Sequence, residues 1–108
     1  GRSNYIIYSA VKAGVINMTR SLAAALAPHD INVNCLAPGN TATSMNENVR
    51  TEPEYAEIYE TIKKNTLSNR PFADPREMAG AVLFLSSDDA KAAHGAMLLM
   101  DEGLSAGY

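Results

Sequence analysis

Apolar residues recur at Val11, Val15, Met18, Leu22 and Leu26, a 4, 3, 4, 4 spacing that places them on one face of a helix. Ala10, Ala13, Ala23, Ala24, Ala25 and Ala27 add helix propensity, and Pro28 and Asp30 end the run. The pattern predicts a helix over 9–27 that buries its apolar face. In I-N-V-N-C-L-A, residues 31–37, Ile31, Val33 and Cys35 alternate with polar partners before Leu36 and Ala37. This predicts a short strand, stopped by Pro38-Gly39. D-P-R-E at 74–77 opens a second long helix, with Asp74 as cap, Pro75 at the first helical position and Glu77 as capping-box partner. Met78, Ala81, Val82 and Leu85 form its expected buried stripe, and Ser86-Ser87-Asp88-Asp89 closes it. Ala96-Met97-Leu98-Leu99-Met100 is apolar throughout, as expected of a strand covered on both faces, and it ends at Asp101-Glu102-Gly103.

Between these elements, residues 40–72 change character. Asn, Thr, Ser and acidic residues are common, and apolar ones are scattered. A helix over 53–65 is supported weakly by Glu60 standing three and four residues before Lys63 and Lys64. The stretch reads as an exposed helical excursion, a lid over a site. The order helix, strand, excursion, helix, strand is α/β, with a right-handed crossover between parallel strands. Two apolar strands with helices leave sheet edges unpaired, so the pattern predicts part of a larger sheet.

Composition narrows the function classes. The 108 residues suit one small domain, 46% hydrophobic and 19% charged. A net charge of −3 offers no basic face for a phosphate backbone, so no nucleic-acid partner is expected. No apolar run is long enough to span a bilayer, and no membrane partner is expected. Cys35 is the single cysteine, which excludes an internal disulfide and fits a reducing, cytoplasmic setting. Its apolar surroundings suggest a buried, inert thiol. No metal is expected.

The candidate chemistry lies in Y-S-A-V-K, where Tyr8 and Lys12 share a helix face four residues apart. An ammonium beside a phenol favours the phenolate and makes it a proton donor or acceptor near neutral pH. The alternative is a buried tyrosine hydroxyl satisfied by a backbone group, with Lys12 reaching out to water. Spacing does not separate the two readings, and it recurs at Tyr59 and Lys63. Tyr59, among Glu54, Glu57 and Glu60 on a polar helix, reads as a packing or surface residue.

The downstream order adds a resemblance. Y-S-A-V-K-A-G, I-N-V-N-C-L-A-P-G-N-T-A-T, R-P-F-A-D-P-R-E-M-A-G-A-V-L-F-L-S-S-D-D and H-G-A-M-L-L-M-D-E-G follow one another as in the C-terminal part of a short-chain dehydrogenase/reductase. The resemblance covers nearly the whole chain and is weakest over 44–68. It implies the C-terminal portion of a Rossmann-type doubly wound parallel sheet. Residues 1–108 would be the catalytic and substrate-binding part of a single domain, and 40–72 the substrate lid. It implies an NAD(P)-dependent oxidoreductase interconverting a small-molecule alcohol and carbonyl, homo-oligomeric as a dimer or tetramer.

Residue by residue, Tyr8 matches the family's proton-exchanging tyrosine. Lys12 matches the lysine that assists it and hydrogen-bonds the nicotinamide ribose. Pro38 and Gly39 match the turn after the sixth strand. Thr41 stands where the family commonly has Ile or Val, whose backbone meets the carboxamide, and Thr43 matches the threonine of P-G-x-x-x-T. All six are implied contacts of NAD or NADP, with the choice between the two open. Met45, Asn46, Tyr55 and Tyr59 would lend the substrate pocket a mixed polar and apolar surface.

Two further positions depart from the family pattern. Glu102 replaces the first glycine of D-G-G, and Asn69 stands where glycine often precedes the arginine. His94 has no catalytic counterpart and reads as a residue leading into the last strand. The glycine-rich phosphate loop, the catalytic serine and asparagine, and the residue selecting NAD or NADP would all lie upstream of Gly1. The chain opens G-R-S-N-Y without a Met. The expectation is therefore the C-terminal part of an enzyme whose dinucleotide-binding half is not in these residues. The alternative is a truncated, non-catalytic piece that retains only a folding or oligomerisation surface.

Overall fold

The computed structural model describes residues 3–106, so both extreme ends of the 1–108 assignment lie outside the described residues. A 3-10 turn at Ser3–Tyr5 leads into α1 (Ile6–Leu26), and a second at Ala27–His29 follows it. The helix thus begins about one turn before the expected residue 9. Asp30, at φ 58°, closes this second 3-10 turn in the left-handed conformation that short polar side chains tolerate. β1 (Cys35–Pro38) comes next, then α2 (Glu47–Thr51), α3 (Ala56–Lys64), α4 (Pro75–Leu85) and β2 (Met97–Met100).

β1 and β2 form a two-stranded sheet. The Cys35 N–H donates to the Ala96 carbonyl and the Gly39 N–H to the Met100 carbonyl, each at 2.9 Å. Both partners advance by four residues, so the strands run parallel, and the architecture is the expected α/β. The chain divides into two compact units, residues 3–35 with 84–98, and residues 36–83 with 99–106.

In the first unit β1 starts four residues later than the alternation predicts. Asn32 and Asn34 take side-chain bonds instead. Asn32 donates to the Lys91 carbonyl (3.1 Å), and Asn34 donates to the Ala93 carbonyl (2.6 Å) while accepting from the Ala96 N–H (3.0 Å). These bonds compete with a regular ladder. A His94 ring nitrogen lies 2.8 Å from the Ala23 carbonyl, which gives the residue leading into β2 a structural partner.

The expected burial of α1 is not observed. Only Thr19 and Ala23 are buried along it, whereas Ile6 is 70% and Ile7 77% exposed. In α4 Ala81 is buried but Val82 is 52% exposed, and in β2 Met97 and Leu99 are exposed, so that strand is not covered on both faces. The reason is one of area. Two strands and these helices present more apolar surface than they can cover among themselves. Cys35, at the head of β1, is half-buried rather than fully enclosed.

In the second unit the capping box forms as expected. Glu77 accepts the Asp74 N–H (2.8 Å) and Asp74 accepts the Arg76 N–H (2.8 Å). Both departures from the family's glycines occupy left-handed backbone, Asn69 at φ 58° and Glu102 at φ 57°. That conformation costs glycine nothing and is uncommon for glutamate. Arg70 binds both Glu77 (2.9 Å) and Glu102, and so ties the start of α4 to the turn after β2. The Arg70 hydrogen bonds hold the Glu77 and Glu102 carboxyls below the ordinary value of 4.5.

Gly39 explains why glycine follows Pro38. A Cβ placed there would stand 2.6 Å from the Asp101 Cα and 2.9 Å from its Cβ. Gly39→Ala in the full-length protein is therefore expected to cost about 2 kcal/mol through overpacking, read as a fall in Tm; an unchanged Tm would contradict the close approach. The Arg70 cluster carries a pH signature. Carboxylates held below their ordinary value add stability above it, and that stability is lost as pH falls from 4.5 through the lower folded values. Glu102→Gln should flatten urea stability between neutral and acidic pH; an identical pH slope in the variant would show that the cluster does not act.

Candidate functional site

Tyr8 and Lys12 lie in the first turns of α1, in the first unit. The helical repeat brings them to one face as the spacing predicts, with the Lys12 Nζ 5.4 Å from the centre of the Tyr8 ring. Tyr5 meets Tyr8 edge to face, with ring centres 5.9 Å apart. Tyr8 is 59% exposed rather than buried.

Pro38, Gly39, Thr41 and Thr43 follow in the second unit as one turn. Thr41 bridges Ala73 in parallel fashion. The bridge uses the N–H of Ala42, which donates to the Ala73 carbonyl, and the carbonyl of Asn40, which accepts from the Ala73 N–H, both at 2.9 Å. Thr41's own N–H and carbonyl therefore face the opposite edge. Its carbonyl accepts from Asn46 Nδ2 at 2.8 Å. The Thr41 hydroxyl leans back to the Gly39 carbonyl at 3.4 Å.

A small polar network holds this turn. Asn46 Oδ1 accepts from the Thr43 N–H (3.1 Å) and from Arg50 Nε (3.0 Å), and Arg50 Nη2 donates to the Thr43 carbonyl (2.9 Å). One amide and one guanidinium thus fix the backbone on both sides of Ala42. Arg50 received no part in the sequence reading. The signal available was its position four residues after Asn46, which on a helical path puts the two side chains together.

The excursion over 40–72 carries α2 and α3, each entered through a 3-10 turn, Ser44–Asn46 and Pro53–Tyr55. Tyr59 stacks on Phe72 with ring centres 6.0 Å apart and planes 28° from parallel, a packing role like the one its polar neighbours suggested. Met45 is 92% exposed at the surface of the first turn. A cavity of about 560 Å³ opens beside the Tyr59–Phe72 pair, lined also by Ala42, Arg50, Lys63 and Arg70. No helix of the described residues is long and apolar enough to cross a membrane.

Comparisons with known proteins bear on this arrangement. The family described as Enoyl-(Acyl carrier protein) reductase matches residues 1–105. The chain is 38% identical over 103 residues to D-xylose 1-dehydrogenase of Caulobacter vibrioides, covering 95% of this chain and 40% of that protein. Among solved structures, an oxidoreductase of the short chain dehydrogenase/reductase family from Burkholderia thailandensis superposes with a TM-score of 0.83 at 41% identity, over 95% of this chain and 39% of that one. The 4-hydroxyisoleucine dehydrogenase complexed with NADH also gives 0.83, at 26% identity, over 94% of this chain and 40% of its own. The chain thus spans about 40% of the length of the curated relatives it matches.

Proposed function

Because the chain belongs to the short-chain dehydrogenase/reductase family, we propose that it is the C-terminal portion of an NAD(P)-dependent oxidoreductase that interconverts an alcohol and a carbonyl. Residues 1–108 then form the catalytic and substrate-binding part of a single Rossmann-type domain, and 40–72 its substrate lid. The observation that carries this reading is the Tyr8–Lys12 pair, ammonium beside phenol at 5.4 Å on one helix face.

In the reductive direction the Tyr8 hydroxyl gives its proton to the carbonyl oxygen as the carbonyl carbon accepts a hydride. In the oxidative direction the phenolate takes the alcohol's proton as hydride leaves. Bound nicotinamide supplies or accepts that hydride. Lys12 stands on the same helix face as the phenol, its Nζ 5.4 Å from the ring centre, in the place of the lysine that assists the tyrosine in the family pattern. In the family pattern it also holds the nicotinamide ribose.

In the family pattern the turn after β1 meets the nicotinamide carboxamide. With Asn40 and Ala42 committed to the bridge, the Thr41 N–H is a donor on the far edge, suited to a carboxamide oxygen. Pro38, Gly39 and Thr43 shape and flank that edge. The relative bound to NADH supports a nicotinamide cofactor, NAD or NADP. A small-molecule substrate, a homo-oligomeric dimer or tetramer and a cytoplasmic setting complete the reading.

A second reading is a non-catalytic piece that retains only an association surface. It is favoured by the apolar residues that α1 leaves exposed, including Val11 at 59% and Met18 at 53%. Dinucleotide binding separates the two. In the full-length enzyme Tyr8→Phe should lower kcat at least about 100-fold while NADH or NADPH still binds, followed by cofactor fluorescence. Normal turnover in that variant would overturn the catalytic assignment.

A further inference from the structure

The cavity of about 560 Å³ in the second unit is lined by three cations, Arg50, Lys63 and Arg70, and by no carboxylate. Arg70 is already committed to Glu77 and Glu102. Arg50 and Lys63 differ. Among the described residues the ion pairs are those of Arg70 and the Lys91–Asp88 pair, and neither Arg50 nor Lys63 takes part in one. The nearby carboxylates Glu52, Glu57 and Glu60 line the two adjoining hollows of about 450 and 230 Å³, which Lys63 and Arg50 also border, and not this one.

Arg50 is also held in place. Its bonds to Asn46 Oδ1 and the Thr43 carbonyl use two N–H groups and leave the rest of the guanidinium fork for a ligand. A guanidinium fixed before binding loses little freedom when an anion arrives. The stacked Tyr59 and Phe72 rings supply an apolar wall next to the two charges. A cavity with apolar and aromatic walls and a few placed polar groups is the usual form of a small-molecule site, and this volume suits an organic acid of ordinary size.

We propose that this groove seats an anionic group of the substrate, a carboxylate or a phosphate, between Arg50 and Lys63, with the adjoining carbon chain against Tyr59 and Phe72. The inference rests on the reading of residues 40–72 as the substrate lid. It narrows the substrate class from any alcohol or carbonyl to one that also carries a negative charge. The same guanidinium that meets the anion also braces the Thr43 carbonyl. An anion seated there would draw on the backbone that carries the Thr41 N–H.

Two measurements on the full-length protein test it. The first is binding: nuclear magnetic resonance titration with acetate and, separately, with inorganic phosphate, following the Arg50 Nε–H signal. The expected result is a saturable shift with at least one of the two anions, weakened roughly tenfold by Lys63→Gln. A response to acetate alone assigns a carboxylate, and a response to phosphate alone a phosphorylated substrate. No shift with either anion, or one that Lys63→Gln leaves unchanged, overturns the site. Lys63 is the residue chosen because Arg50→Gln would also loosen the turn at Thr43.

The second measurement is the ratio of kcat/KM for a keto acid to that for its methyl ester. Lys63→Gln should lower this ratio roughly tenfold; a constant ratio overturns the substrate class. If Tyr8→Phe retains turnover, the oxidoreductase mechanism falls, while the titration still decides the anion site.

Discussion

The parallel ladder between β1 and β2 is the constraint on which both proposed functional regions depend. Its bonds keep one register from Cys35 opposite Ala96 to Gly39 opposite Met100. At the end of that run the two backbones come so close that a single Cβ on Gly39 would overlap Asp101. Pro38, whose missing donor falls on the edge away from β2, and Gly39, which lends space, mark the end of the strand. The turn beyond β1 therefore leaves the sheet from a fixed point. The Thr41 bridge to Ala73, the Asn46–Arg50 brace and the Arg70 clamp to Glu102 all lie within a few residues of it.

Placing function at a turn requires that the turn be rigid, and here the rigidity comes from side chains rather than from a regular element. Asn46 engages backbone on both sides of Ala42, and Arg50 repeats the contact from the next helix. Each bond is modest alone, but together they leave the Thr41 peptide few ways to rotate. Such a network also couples neighbouring tasks. A ligand that binds Arg50 acts on the same backbone that is proposed to meet the carboxamide. This is how a lid can report on what it holds without a long-range path.

The apolar surface points in the same direction as the family assignment. α1 presents Ile6, Ile7, Val11 and Met18 to solvent, and β2 presents Met97 and Leu99. Side chains of this kind, at this spacing, are those of covered elements. The chain spans about 40% of the length of its curated relatives, and the glycine-rich loop expected of them is outside its sequence. Tyr8 illustrates the consequence. Its neighbour Lys12 is fixed by the helix itself, whereas its enclosure depends on surfaces that residues 3–106 do not supply.

Sequence alone determined whatever is local. Helical periodicity fixed the Tyr8–Lys12 pairing, the D-P-R-E pattern the Asp74–Glu77 cap, and the Pro38-Gly39 and Asp101 stops the C-terminal ends of both strands, because each depends on residues close together in the chain. It also located the departures at Asn69 and Glu102, although not their reason. Tertiary structure decided the remainder. Left-handed backbone at those two positions, the partners of Asn32 and Asn34, the need for glycine at 39 and the convergence of Arg50, Lys63 and Arg70 on one cavity are set by segments far apart in the chain. Burial failed for the same reason. A periodic pattern shows which face would be covered, but only the neighbours present decide whether it is, and the apolar area of α1 and β2 exceeds what this chain can hide.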